Sequence, residues 1–91
     1  MPTMLREAWR LDGSVALRPE PFGALAYHFG TRRLSFLKTP ELVDVVRRLG
    51  TSPCVEDALS GAGVPEAHWP AYVAALEGLA TGGMISRRDE T

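Results

Sequence analysis

The 91 residues, 45% hydrophobic and 23% charged, fit one small ordered domain and leave no room for a second one. Ten Lys and Arg against eleven Asp and Glu give a formal net charge of −1, which disfavours nonspecific binding to nucleic acid or to an anionic membrane. The single cysteine, Cys54, excludes an intramolecular disulfide and a cysteine-ligated zinc or iron–sulfur centre. We therefore expect a cytoplasmic domain spanning residues 1–91, ordered over about 9–85, with flexible termini, no secretory signal and no membrane span.

Three strands are predicted in the first half of the chain. The first begins at Val15 and is short, because Pro19 and Pro21 follow closely and bias the residues before them toward extended backbone. The segment 22–38 alternates on both sides of Gly30-Thr31, which is typical of a hairpin with a two-residue turn. These patterns predict an antiparallel sheet in which strand order follows the chain.

The predicted hairpin register pairs Tyr27 with Leu34 and Leu25 with Phe36. The face with these large side chains is expected to lie under the helices, and if Phe36 is core, its truncation to alanine should cost about 3 to 5 kcal/mol. The opposite face is smaller and more polar and is expected to tolerate water. Its residues are Ala24, Ala26, His28, Arg33, Ser35 and Leu37.

Three helices are predicted in the second half. The pairs Thr39-Pro40 and Ser52-Pro53 each offer an N-cap residue followed by a proline at the first helical position. The first helix should end near Leu49, and the third should cover about 70–81 after a separate turn at 65–68. Two of these helices then form a tight helix-turn-helix.

The predicted order of elements is strand, strand, strand, helix, helix, helix. This order is typical of an α+β, winged-helix-like fold, in which a three-stranded antiparallel sheet is followed by a three-helix unit that covers one face. Met84 and Ile85 are expected to pack back against the domain, and residues 86–91 to form a fraying tail.

The chain offers little chemistry for catalysis. No motif links Cys54, His28 and His68, so we predict no catalytic residue, no metal ligand and no cofactor. A DNA-binding winged helix is one alternative function, yet the segment 65–82 contains Glu66 and Glu77 and no Lys or Arg, so phosphates would be repelled and no nucleic acid partner is predicted. A small interaction domain with an unrelated partner is the other alternative.

The last strand of the hairpin is a candidate binding edge. Three basic residues, Arg32, Arg33 and Lys38, and no acid lie within residues 31–38. An edge strand has unpaired backbone groups that can pair with an extended peptide, and the cations would favour an acidic one. The charges could instead only keep the edge soluble, and the same edge could pair with a second copy to give a homodimer.

The segment 9–85, most specifically its parts 15–30 and 33–38, resembles the mycofactocin biosynthesis peptide chaperones. That family is similar to the pyrroloquinoline quinone biosynthesis protein D group, the recognition elements for ribosomally made and post-translationally modified peptides. The resemblance implies a non-catalytic chaperone that binds the mycofactocin precursor peptide and presents it to a radical S-adenosylmethionine maturase, which modifies a C-terminal Val-Tyr pair on the way to a redox cofactor. The iron–sulfur chemistry would then belong to the maturase.

The resemblance also implies a peptide bound as an added strand between the third strand and the third helix. We expect the backbone of Arg33, Ser35 and Leu37 to supply the hydrogen-bond ladder. Leu37, Tyr72, Val73 and Leu76 are expected to offer apolar pockets, and Arg32, Arg33 and Lys38 to attract acidic side chains. The candidate peptide-binding residues are Arg32, Arg33, Leu34, Ser35, Phe36, Leu37, Lys38, Tyr72, Val73 and Leu76. A register shift of one residue would exchange the two faces of the strand.

Overall fold

The computed structural model describes residues 4–88, which form five strands, three α-helices and two 3₁₀ turns. The strands are β1 Trp9–Leu11, β2 Val15–Glu20, β3 Gly23–His28, β4 Leu34–Leu37 and β5 Ile85–Arg87. The helices are α1 Pro40–Leu49, α2 Val55–Gly61 and α3 Trp69–Thr81, and the 3₁₀ turns are Met4–Arg6 and Glu66–His68. Of the termini expected to be flexible, about 1–8 and 86–91, residues 1–3 and 89–91 lie outside the described residues.

Strands β2, β3 and β4 form one antiparallel sheet in chain order, so the predicted α+β fold with a three-stranded sheet and three helices is confirmed. The hairpin has the predicted pairs, Tyr27 with Leu34 and Leu25 with Phe36. The prediction of a two-residue turn is wrong, because five residues, 29–33, separate β3 from β4, and Arg32 among them has a left-handed φ of 66°.

The side chain of His28 explains the longer loop. Its Nδ1 accepts hydrogen bonds from the backbone N–H groups of Gly30 (3.0 Å) and Thr31 (3.1 Å). The N–H of Arg32 donates to the carbonyl oxygen of His28 at 2.7 Å. An imidazole that satisfies two turn amides thus replaces the tighter turn that the glycine suggested.

A second, two-stranded sheet pairs β1 with β5. The prediction that a fraying tail begins at residue 86 is therefore wrong for residues 86–88. Trp9 lies opposite Arg87, and Leu11 lies opposite Ile85. The N–H of Arg88 donates to the carbonyl oxygen of Ala8 at 2.8 Å, and its guanidinium donates to the carbonyl oxygens that follow α1, at positions 50 and 52. The sequence between Ile85 and Arg88 is therefore anchored at both backbone and side chain.

Helix α1 has the predicted bounds, and the Thr39 hydroxyl oxygen accepts a hydrogen bond from the N–H of Leu42 at 3.1 Å. Helix α2 begins later than predicted: its N-cap is Cys54, not Ser52, and the N–H of Val55, its first residue, donates to the carbonyl oxygen of Glu7 at 3.0 Å. Five residues rather than three therefore separate α1 from α2. Helix α3 follows the separate turn that was predicted at 65–68 and begins one residue before the expected start.

The core lies between the helices and the face of the sheet that was expected to tolerate water. Leu37 is 1% exposed, whereas Leu34 and Phe36 are 57% and 60% exposed, so the prediction that the large side chains of the hairpin lie under the helices is wrong. Helix α1 contacts β3, where alanines allow a close approach. The buried apolar residues are Met4, Val15, Ala24, Ala26, Leu37, Leu42, Val45, Val46, Leu49, Val55, Ala58, Leu59, Val64, Val73, Leu76, Leu79, Met84 and Ile85.

Candidate functional site

Strand β4 lies at the edge of the three-stranded sheet, and hydrogen bonds fix the direction of its backbone groups. The N–H of His28 donates to the carbonyl oxygen of Arg33 at 2.9 Å, so this pair is hydrogen-bonded. Opposed residues of an antiparallel ladder alternate between hydrogen-bonded and non-hydrogen-bonded pairs. Ser35 and Leu37 therefore direct their backbone groups toward β3, and Leu34 and Phe36 direct theirs outward.

This alternation corrects the expected peptide ladder. The backbone groups of Arg33, Ser35 and Leu37 are used inside the sheet, and the Leu37 carbonyl oxygen faces the Cα of Gly23 on β3. The groups available to an added strand belong to Leu34 and Phe36. The edge itself is where the sequence placed it, but the register of its outward groups is shifted by one residue.

An apolar cleft of about 410 Å³ runs between β4 and α3. It is lined by Ser35, Phe36, Leu37, Lys38, Leu42, Ala75 and Leu79. A smaller hollow of about 160 Å³ continues it and shares Lys38, Leu42 and Ala75 while adding Thr39, Ala71 and Tyr72. The two hollows form one groove along the edge of the sheet.

The groove exists because α3 presents small side chains toward β4. Ala71 and Ala75 are one helical turn apart and both line the groove, and each contributes only a methyl group. Tyr72 is half-buried beside Lys38 at one end. A larger residue at position 75 would fill space that an added strand could otherwise use for its own side chains.

The structure brings together five of the ten candidate peptide-binding residues along this groove. They are Ser35, Phe36, Leu37, Lys38 and Tyr72. The side chains of Leu34 and Phe36 lie on the outer face of β4, opposite Ser35 and Leu37. Arg32 and Arg33 are exposed in and after the hairpin loop.

Val73 and Leu76 do not line the groove. Leu76 is completely buried, and Val73 borders a separate hollow on the other side of α3 with Leu5 and Trp69. Sequence reasoning missed the groove residues Thr39, Leu42, Ala71, Ala75 and Leu79. The signal that could have revealed part of this set is the pair of alanines four residues apart on α3.

The groove lies in a locally basic part of the chain. Residues 21–40 contain Arg32, Arg33 and Lys38 and no acidic residue, although the whole chain has a formal charge of −1. All three cations are exposed. The local charge favours a partner with carboxylates next to its apolar side chains.

The outer face of the sheet carries large side chains that no helix covers. Phe22, Phe29, Leu34 and Phe36 are all exposed, and Tyr27 and Leu25 are half-buried among them. The rings are ordered by contacts: Phe22 and Phe36 meet edge to face at 5.9 Å, and Tyr27 and Phe29 at 5.1 Å. An exposed apolar patch of this kind is typical of an interaction surface.

A cluster of Ser86, Asp12 and His28 connects the two sheets at the end of the hairpin. The Ser86 hydroxyl donates to the Asp12 carboxylate at 2.6 Å, and the His28 Nε2 is 3.8 Å from the other carboxylate oxygen. The hydrogen bond from Ser86 and one from the backbone N–H of Ser14 lower the pKa of Asp12 below its usual 3.8. Serine and histidine both contact the carboxylate rather than each other, so the histidine is not placed to activate the hydroxyl.

The remaining reactive side chains serve local structure. The Cys54 thiol donates to the Asp57 carboxylate at 3.3 Å within the first turn of α2. Within residues 4–88, no three His, Cys, Asp or Glu side chains are grouped as metal ligands would be. Of the helices in that part of the chain, none has the length and apolar content needed to cross a bilayer.

Comparisons with known proteins agree over most of the chain. A family model described as the peptide chaperone MftB family matches residues 8–86. The chain is 49% identical over 83 residues to a peptide chaperone MftB of Mycobacterium tuberculosis, covering 91% of this chain and 76% of the relative. It is 52% identical over 77 residues to one of Mycobacterium ulcerans, covering 85% and 71%, and 50% identical over 78 residues to one of Mycolicibacterium smegmatis, covering 86% and 76%. No solved structure matches significantly.

Proposed function

Because this chain belongs to the peptide chaperone MftB family, a family of non-catalytic peptide chaperones, we propose that it holds the mycofactocin precursor peptide and delivers it to a radical S-adenosylmethionine maturase. The peptide binds as an added strand at β4, beside α3. In this proposal the protein contributes binding and orientation, and the maturase contributes all covalent chemistry. The step takes place in the cytoplasm, where the peptide is synthesised.

The observation that carries the proposal is the combination of an open strand edge with an apolar groove. Leu34 and Phe36 direct their backbone groups outward, which is what an added strand needs for its hydrogen bonds. The groove lies next to this edge, where every second side chain of an added strand would point. Backbone pairing then supplies affinity, and the groove supplies selectivity.

The charges around the edge favour an acidic peptide over a second copy of the chain. Arg32, Arg33 and Lys38 all lie on or beside β4, with no acid between residues 21 and 40. An edge-to-edge homodimer would bring two sets of these cations along one seam, which is unfavourable. We therefore expect the peptide to displace any homodimer that forms at high protein concentration.

The proposal is tested by titrating isotopically labelled protein with the synthetic precursor peptide and following backbone amide shifts at low and moderate salt. Shifts should concentrate at Leu34 and Phe36 and along the α3 side of the groove, with smaller shifts on the two-stranded sheet. A scrambled peptide of the same composition is the control. An absence of shifts at peptide concentrations near 1 mM, or equal shifts with the scrambled peptide, would refute the proposed binding, since 1 mM corresponds to only about −4 kcal/mol.

Delivery is tested separately with the purified maturase. The rate of peptide modification should rise when the protein is added, and it should fall back when Ala75→Leu fills the groove. A rate that does not depend on the protein would remove the delivery step from the proposal, while peptide binding could still be measured in the titration.

A further inference from the structure

Leu34 and Phe36 combine outward backbone groups with exposed apolar side chains. Their backbone N–H and C=O groups point away from β3 at the open edge of the sheet. Their side chains lie on the outer face, which no helix covers. Ser35 and Leu37, between and beyond them, point toward α3 and line the groove or its floor. The edge therefore separates two apolar surfaces, one on each side of β4.

An added strand continues the pleat of the sheet, so its side chains alternate between these two surfaces. In an antiparallel arrangement, the peptide residues that exchange hydrogen bonds with Leu34 and Phe36 have side chains on the outer face. The peptide residues between them point into the groove. Each of the two rows of peptide side chains would therefore contact an apolar surface of the protein.

The outer surface is formed before any peptide arrives. Phe36 packs edge to face on Phe22 across the sheet, with ring centroids 5.9 Å apart and planes at 69°. These two rings are still 60% and 42% exposed, so they retain area for a further contact. A ring held by its neighbour loses little conformational freedom on binding, which favours its use as an anchor.

We infer that the bound peptide is read on both faces at once: one row of apolar side chains enters the groove against Ala75 and Leu42, and the alternate row packs on Phe36 and Leu34. The inference rests on the proposed function and specifies its ligand. The recognised segment is a short run of consecutive apolar residues with a carboxylate beside it, and not a strand that alternates between apolar and polar residues. The carboxylate is matched by Arg33 and Lys38 at the two ends of β4.

The test measures the affinity of the synthetic precursor peptide for the 91-residue chain and three variants of it by calorimetry. Phe36→Thr removes the outer-face ring and keeps a residue suited to a strand, and we expect about tenfold weaker binding. Ala75→Leu fills the groove and should also weaken binding about tenfold or more. Phe29→Thr changes an equally exposed ring of the same outer patch, but one that lies in the hairpin loop beyond the end of β4, and its affinity should stay within about twofold of that of the unchanged protein.

The outcomes separate this inference from the proposed function. If Ala75→Leu weakens binding and Phe36→Thr does not, the peptide is read in the groove alone, and the inference fails while the function stands. If neither variant changes the affinity, both fail. If Phe29→Thr weakens binding as much as Phe36→Thr, the outer face binds the peptide without a specific contact at Phe36. The inference that one row of peptide side chains packs on Phe36 and Leu34 is then overturned. Circular dichroism and urea unfolding of each variant confirm that it is folded before its affinity is compared.

Sedimentation of the protein without peptide and the peptide's own variants complete the test. If the protein forms a homodimer that Phe36→Thr dissociates, the outer face binds a second copy of the chain, and the inference is overturned. In the peptide, serine substitutions in either of the two alternate rows of the bound apolar segment should weaken binding. Loss confined to one row would contradict a reading on both faces.

Discussion

The inner face of the three-stranded sheet carries Ala24, Ala26 and Leu37 under the helices, whereas the outer face leaves Leu34 and Phe36 more than half exposed. The smaller side chains are buried because helix α1 crosses the sheet at β3, where alanines let the two backbones approach. The larger side chains have no helix to cover them. Burial in this domain therefore follows where a helix can pack, and the large apolar residues left outside form an exposed patch of the kind that is typical of an interaction surface.

The sharpest test of this difference truncates two neighbouring residues of β4. Leu37→Ala should lower the free energy of unfolding by about 2 to 5 kcal/mol, because it opens a cavity between the sheet and the helices. Phe36→Ala should lower it by only about 1 kcal/mol, the size of its ring contact with Phe22. Urea unfolding followed by circular dichroism measures both changes.

A larger loss for Phe36→Ala than for Leu37→Ala would mean that the two faces are assigned in reverse. Equal losses would mean that another molecule covers the outer face under the conditions of measurement. Repeating the unfolding at two protein concentrations distinguishes these cases, since only an intermolecular contact makes stability depend on concentration.

A second test probes how closely the backbones of the hairpin approach each other at the start of β3. A Cβ at Gly23 would lie 2.2 Å from the backbone carbonyl oxygen of Leu37, so Gly23→Ala should lower the free energy of unfolding by about 1 to 3 kcal/mol. Gly13 has no atom within 4 Å of such a Cβ, and Gly13→Ala should leave stability unchanged or raise it by up to about 1 kcal/mol. Thermal unfolding of the two variants provides the comparison, and an equal effect at both positions would contradict the close approach at Gly23.

The sequence was sufficient for the three strands of the larger sheet, for the presence of three helices and for the pairing of the hairpin. Alternation on both sides of the turn fixed the pairs Tyr27 with Leu34 and Leu25 with Phe36, and Thr39-Pro40 fixed the start of α1. Alternation has a period of two and does not say which row lies under the helices. The larger side chains of the aromatic row suggested that this row is buried. The packing of α1 on β3 buries the other row instead.

Prediction was weaker where distant segments meet. Strand β5 and the anchoring of Arg88 depend on β1, more than seventy residues away, and no local pattern indicates that pairing. The first amide of α2, that of Val55, likewise bonds a distant residue, Glu7. For the candidate site, the edge strand and its cations could be predicted, whereas the groove residues Ala75 and Leu42 required the relative placement of α3 and β4.

A third test examines the charge beside the proposed binding edge, β4. Arg33→Glu should weaken binding of the precursor peptide about three- to tenfold at low salt without lowering stability, because Arg33 is exposed and has no ion-pair partner within the described residues. The difference should shrink as salt rises, since the screening length falls from roughly 10 Å at 0.1 M to 3 Å at 1 M. Fluorescence anisotropy across a salt series measures this.

The matched control is Arg10→Glu, which makes the same charge change at an exposed position on the two-stranded sheet. It should alter the affinity by less than about twofold, as expected for a charge away from the binding edge. An equal loss for both variants would indicate attraction by overall charge and not by the β4 edge. An affinity for the Arg33 variant that is unchanged at every salt concentration would refute the electrostatic part of the proposal.

The smallest expected effect concerns Asp12, which connects the polar end of the inner face to the second sheet. The Ser86 hydroxyl is the main cause of its lowered pKa, and the backbone N–H of Ser14 is the next. Because the folded pKa lies below the unfolded value of about 3.9, the carboxylate contributes its full stabilisation above that value and loses it as the pH falls through the folded pKa. Ser86→Ala should therefore raise the pKa of Asp12 toward 3.8 and reduce the free energy of unfolding at pH 7, and the stabilities of the two proteins should converge in acid.

The control variant, Ser14→Ala, keeps its backbone N–H and should leave the pKa of Asp12 almost unchanged. An NMR titration of the Asp12 carboxyl carbon in the three proteins measures the shift, and an equal change in both variants would show that the hydroxyl of Ser86 is not its main cause.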